Sequence, residues 1–182
     1  IKTIVNLLLT CSVIFIGTIK AFAQDQGWDQ LVVEPKQSTI TWSAFQGEKK
    51  YSGTTPVLNG FIFMERDDLK GGTLFIDMNN ITISNLDDKS DYVTMMEFMQ
   101  GMQFFDVRKN PFAVCKIYSV SETTGSTYTH MLQASLTIKG YTHNFELPVV
   151  LAKENEYIQI SGKTALDRKK WNLAGYNKGE VK

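Results

Sequence analysis

Residues 132–151 read LQASLTIKGYTHNFELPVVL. In the first half Leu132, Ala134, Leu136 and Ile138 alternate with Gln133, Ser135, Thr137 and Lys139. In the second, Phe145, Leu147, Val149 and Leu151 share one face. Side chains two residues apart stand on the same side of a strand, so each run predicts a strand with one buried face. The two runs meet at Lys139-Gly140-Tyr141-Thr142 and therefore predict a hairpin with a glycine in its turn. Nothing with catalytic character accompanies the pattern.

The same alternation recurs outward from this hairpin. Strands are expected at Ser38–Phe45 (STITWSAF), 57–64 (VLNGFIFM), 72–83 (GTLFIDMNNITI), 111–120, 127–139, 142–152 and 157–167. Gly60 marks a bulge or a close backbone approach. Turn residues separate the runs at Arg66-Asp67-Asp68, Thr124-Gly125-Ser126, Lys139-Gly140 and Glu154-Asn155-Glu156. Seven or so antiparallel strands with short connections predict an all-β barrel or sandwich. Residues 72–83, if continuous, span about 40 Å, which favours a tall barrel of about eight strands around a narrow apolar bore. Asn79-Asn80 is the place where that strand bends or ends. Lys170–Ala174 reads as the start of a further strand, and Glu180-Val181 as another. A barrel needs its last strand to cover an open edge, so that strand is expected to be incomplete here, by on the order of 5–10 residues.

The first 23 residues have a different character. Lys2 precedes an apolar run from Ile4 to Ile19, which ends in Ala21-Phe22-Ala23. A basic start, an apolar middle and a small-x-small end predict an export signal cleaved after Ala23, leaving 24–182 as a single domain in the periplasm or outside the cell. A membrane anchor fits less well, because Asn6 and Thr10 interrupt a run already shorter than a spanning helix. Lipidation at Cys11 is disfavoured by Thr10 before it and by the apolar run after it. Cleavage leaves Cys115 alone, so no intramolecular disulfide can form. Its alternation with Ala113 and Ile117 reads as a small buried apolar residue. Lys plus Arg and Asp plus Glu number 19 each, and loss of Lys2 and Lys20 tilts the balance only slightly negative. Such a charge gives no reason to expect nucleic acid.

Residues 86–107 (LDDKSDYVTMMEFMQGMQFFDV) break the strand pattern. Ser90-Asp91 is the expected N-cap. Tyr92, Met95, Met96, Met99 and Met102 then recur at helical spacing, and Gly101 ends the helix. Four of the seven methionines fall in this stretch. Met adapts to irregular apolar surfaces, so the helix is expected to plug one barrel mouth and to serve as its lid.

The search for catalytic groups finds little. His130 and His143 are the only histidines, and His143 is read on the polar face of its strand. No spacing of His, Cys, Asp and Glu matches a metal site, and there is no nucleophile elbow or phosphate loop. Asp167-Arg168 reads as an ion pair at a strand end. The chain is expected to be no enzyme and to need no cofactor or metal.

Three segments carry a family resemblance. They are Phe104-Phe105-Asp106-Val107-Arg108-Lys109-Asn110-Pro111; Leu136 to Thr142 followed by Phe145 to Val149; and Leu166-Asp167-Arg168 followed by Trp171. In order and spacing the chain resembles the YceI-like family of exported, polyisoprenoid-binding proteins. The resemblance implies an elongated, lipocalin-like, eight-stranded barrel whose bore holds an isoprenoid, a quinone or another lipid. Family members often carry a His-Leu-Lys-like pattern before the paired Phe. Here Met99-Gln100-Gly101-Met102-Gln103 stands there instead, which leaves the head-group preference open.

The candidate lining residues are Trp42, Phe61, Phe63, Leu74, Ile76, Leu136, Ile138, Phe145, Leu147 and Ile160 from the strands. The lid adds Met95, Met96 and Met99, and the segment after it Phe104 and Phe105. The expected partner is an apolar small molecule or lipid, with a transient membrane contact and a homodimer left open. Two other functions compete: a solidly packed interaction module of the cell envelope, and an enzyme acting on a lipid head group with His130 or His143 as base.

Overall fold

The computed structural model describes residues 6–16 (by their backbone), 27–46, 48–154 and 157–173. The described residues contain nine strands: β1 (Asn6–Ile16), β2 (Asp29–Val32), β3 (Thr39–Gln46), β4 (Lys49–Glu65), β5 (Asp68–Asp77), β6 (Phe112–Glu122), β7 (His130–Ile138), β8 (Tyr141–Glu154) and β9 (Tyr157–Asp167). One helix, α1 (Lys89–Gln100), lies between β5 and β6, and single 3-10 turns cover Pro35–Gln37 and Arg168–Trp171. Every strand pair is antiparallel. The pairing runs β4-β3-β1-β9-β8-β7-β6-β5 and returns from β5 to β4, which closes an eight-stranded barrel. β2 continues the wall beside Phe61–Met64 of β4, beyond the last β3 pair at Pro56. The all-β barrel of about eight strands with one helical segment is the architecture expected, but the place given to an incomplete last strand, beside β9, is taken by β1.

The hairpin of residues 132–151 forms as β7 and β8. Leu132 pairs with Leu147, Ala134 with Phe145, and the ladder ends at Ile138 opposite Tyr141. The connection is therefore two residues long, and both take positive φ, Lys139 at 51° and Gly140 at 79°. A two-residue turn of that hand matches the right-handed twist of the flanking strands. Gly140 adopts it without cost, whereas Lys139 is held there by the ladder on either side.

Three strands differ from expectation, each for a local reason. β4 is 17 residues long and begins well before Val57, at Lys49. Pro56 lies inside it, at the last pair with β3, where its missing N–H does little harm. β5 ends at Asp77 rather than Ile83. The Asp77 carboxylate accepts from the Asn79 amide at 3.0 Å and from Asn80 Nδ2 at 2.8 Å, which turns the chain out of the ladder. Beyond that turn it rejoins β4, with Thr82 N donating to Thr54 O and Ser84 N to Ser52 O, each at 2.8 Å. After β9 the chain forms the 3-10 turn Arg168–Trp171, not a strand. Asp167 caps that turn by accepting from the Lys169 amide at 3.0 Å, in place of the expected ion pair with Arg168. The strand start at Glu180-Val181 lies outside the described residues.

Residues 6–16, the middle of the segment read as an export signal, form β1. It pairs along its whole length with β9, from Asn6↔Asp167 to Ile16↔Tyr157, and from Leu8 to Ser12 with β3. An apolar run rich in Leu, Val and Ile suits an extended conformation where two edges offer partners. The proposed cleavage site at Ala23 lies outside the described residues.

Candidate functional site

Strand alternation sends one row of each strand into the barrel. On β7 that row is Leu132, Ala134, Leu136 and Ile138, all buried, with Ala134 fully so at 0 % exposure. On β8 it is Phe145, Leu147, Val149 and Leu151, which pack on the same core. Ladder pairs carry the rows around the wall: Ile76↔Ala113, Leu74↔Cys115 and Gly72↔Ile117 between β5 and β6, then Cys115↔Leu136 and Ile117↔Ala134 into β7. Trp42, Leu74, Ile76, Leu136, Ile138 and Ile160 are buried in this one cluster.

Phe61 and Phe63 are not part of it. The β4–β5 register shifts between Val57 and Asn59, so the alternation changes parity just before Gly60. Ile62 and Met64 are the buried residues there, and Phe61 and Phe63 face the other way. Phe61 packs edge-on to Phe63 at 5.2 Å, and Trp28 tilts over Phe63 at 6.2 Å. They form an outer aromatic cluster under β2 rather than a lining. Gly60, read as a bulge marker, sits beside that shift.

The helix behaves as a plug with one face inward. Its N-cap is Asp88, not Ser90-Asp91: the Asp88 carboxylate accepts from the Asp91 amide at 2.8 Å. The N-cap carboxylate thereby satisfies the third of the amides that the first turn leaves free. Met95, Phe98 and Met99 are buried, Met96 and Tyr92 half-buried against the core, and Met102, beyond Gly101, is 73 % exposed. Phe98 meets Phe104 at 5.3 Å and Phe104 meets Phe105 at 4.5 Å, and Phe105 is buried in the same cluster. Asp106 follows at a φ of 47°, and its carbonyl accepts from the amides of Lys109 and Asn110 and from Asn110 Nδ2. The Phe-Phe-Asp motif is thus a folded turn that seats two rings. Lys139 Nζ donates to Met102 O at 2.7 Å and ties the β7–β8 turn to this segment.

The same barrel end is closed from the other side by Trp171. It is 2 % exposed, donates from Nε1 to Leu136 O at 2.8 Å, and lies edge-on to His143 at 5.4 Å. His143 shares the parity of Phe145, so it sits half-buried on the inner row and not on the polar face. His130 Nδ1 lies 2.8 Å from Thr129 Oγ1, at the other end of β7. The two histidines are therefore held apart by the length of the strand. Among the described residues no three of His, Cys, Asp and Glu group to hold a metal ion.

Polar groups inside are few. Among the described residues, the buried polar or charged side chains are Ser38, Thr55 and Asp77, and none carries a positive charge. Thr55 Oγ1 donates to Asp77 O at 2.7 Å. Cys115 stands in the inner row, and burial pushes its thiol up to about 12. Such a thiol stays protonated and inert, as the sequence reading expects.

Comparison with known proteins gives the following. The profile of the YceI-like domain matches residues 31–182. No curated protein matches the chain. Among solved structures, BcnA of Burkholderia cenocepacia is similar over 96% of this chain and 84% of that one, at 15% identity and a TM-score of 0.49.

Proposed function

Because the chain belongs to the YceI-like family, we propose that it is a carrier which holds the long apolar chain of a polyisoprenoid, an isoprenoid quinone or another lipid inside its barrel. One observation carries this reading: the inward rows of β3–β9 are hydrocarbon and pack into one core, stopped at one end by a methionine-bearing helix. Each methylene moved from water into such an interior contributes about 0.8 kcal/mol, so a long chain is retained with few polar contacts. The adaptable side chains of Met95, Met96 and Met99 suit a guest without fixed shape. The carrier works without catalysis, cofactor or metal. Its ligand is an apolar small molecule, its charge balance gives nucleic acid no purchase, and its place is the periplasm or the medium after removal of residues 1–23.

The test is mass spectrometry of organic extracts of the purified protein, expressed full-length in an exporting host. A stoichiometric long-chain lipid is the expected result. Protein that emerges free of lipid would overturn the reading. N-terminal sequencing of the same sample checks the export site, with Gln24 as the expected first residue.

A further inference from the structure

We propose that Trp42 is the hydrogen-bond donor that selects the ligand, so that the lipid held in the barrel carries an uncharged acceptor oxygen, of the carbonyl type, within its apolar body. The inference rests on the carrier reading above.

Trp42 Nε1 is the one buried side-chain nitrogen or oxygen among the described residues that has no hydrogen-bond partner. The residue is 5 % exposed and belongs to the apolar core cluster. A buried N–H without an acceptor is costly and rare, and a functional partner absent from the structure is a standard reason for one. The buried polar side chains described are already engaged: Thr55 donates to Asp77 O, the Asp77 carboxylate receives Asn79 and Asn80, and Ser38 also has a partner. The contrast with Trp171 is direct, since that indole, equally buried, donates to Leu136 O.

The indole is also held in place. Trp42 lies opposite Gly53 in the β3–β4 ladder. A Cβ at Gly53 would fall on the Thr82 carbonyl and within 2.8 Å of Trp42 Cζ2. The ring therefore occupies the space that a side chain at residue 53 would need, with backbone beneath it. A donor fixed before binding loses little entropy when the acceptor arrives.

The surroundings settle the charge of that acceptor. No Lys or Arg is among the buried residues described. A phosphate or carboxylate drawn into this interior would lack a counter-charge and would stay outside. A ketone, quinone or ester oxygen needs only the one N–H that is free. A plain hydrocarbon leaves that N–H unsatisfied.

The experiment uses delipidated protein, nitrogen-15-labelled at its tryptophans, and two ligands of nearly equal shape: hexahydrofarnesylacetone, and pristane, in which a methyl branch replaces the carbonyl oxygen. The ketone is expected to bind about tenfold more tightly and to shift the Trp42 indole resonance, while pristane leaves that resonance in place. Trp42→Phe removes one of the three indole signals and is expected to abolish the preference for the ketone over pristane. Equal affinity of the wild-type protein for both ligands, or a Trp42 signal unmoved by the ketone, overturns the inference and leaves the carrier reading standing. If neither ligand binds the wild-type protein, the carrier reading falls and the inference with it. The wild-type comparison decides the matter even if the variant fails to fold.

Discussion

Replacing Trp171 tests whether the end of the barrel is held shut from within. The residue lies at the Leu136↔His143 pair of the hairpin, donating to the Leu136 carbonyl at 2.8 Å with its ring edge-on to His143. Trp171→Ala removes a side chain that is 98 % withdrawn from solvent and leaves a cavity beneath the 3-10 turn. Deletions of this size cost about 3–5 kcal/mol. For a domain of this length each kcal/mol lowers Tm by about 2–4 °C, so a drop of about 6–20 °C is expected. Trp171→Phe keeps most of the ring but removes the indole's bond to the Leu136 carbonyl, at about 1 kcal/mol. Calorimetric melting gives the size of both effects, and amide hydrogen exchange gives their place. Protection should fall at Leu136–Ile138 and Tyr141–His143 before it falls at the far end of β7. A Trp171→Ala protein that melts within about 2 °C of the parent, or one that loosens uniformly, refutes the role assigned to this residue.

Four further outcomes follow from the same geometry. Met95→Ala with Met99→Ala should cost about 4–10 kcal/mol in urea unfolding, since both side chains are buried, which makes the helix part of the core and not only a removable lid. Gly53→Ala should cost about 3 kcal/mol by thermal melting, because its Cβ meets a backbone carbonyl, whereas Gly125→Ala, at a φ of 70° with open space around it, should cost only about 1 kcal/mol of backbone strain. The Cys115 thiol should resist iodoacetamide at pH 8, and it has a signature in pH. Burial raises its folded value from 9.0 to about 12, so its contribution is intact below pH 9 and is lost as the pH climbs toward 12, at about 1.4 kcal/mol per pH unit, a slope that Cys115→Ala should remove. Deleting residues 1–23 takes β1 from between β3 and β9; amides of Ile158–Leu166 that face β1 should lose exchange protection, and retained protection would mean that another strand fills the slot.

How far a sequence of this kind can be read depends on where its period is unbroken. Between Leu132 and Leu151 the alternation runs without interruption on either side of a two-residue turn, and every inward residue named there is found inward. The same rule fails at Phe61 and Phe63. Period two assigns a face only relative to the last known residue, and the register shift near Leu58 reverses the assignment for everything beyond it. Gly60 was the visible mark of that shift, but a glycine does not say whether it sits beside an extra residue or under a close neighbour. His143 illustrates the reverse case: its parity with Phe145 was legible, yet its polarity argued for the outer face, and only the ring of Trp171 explains how an imidazole is accommodated inside. The helix was visible from its methionine spacing while its cap was not, because Asp88, Ser90 and Asp91 are all competent acceptors and the choice among them is made by where the chain leaves the barrel wall. Trp42 marks the farthest limit. Alternation places it inside, and the side chain is inside, but that its N–H finds no partner is a property of its neighbours on β4 and of the Thr82 carbonyl segment, residues brought to it from 11 and 40 positions away. An interior built from apolar rows is written into local pattern; a polar demand that such an interior leaves unmet arises only when the rows are packed on one another.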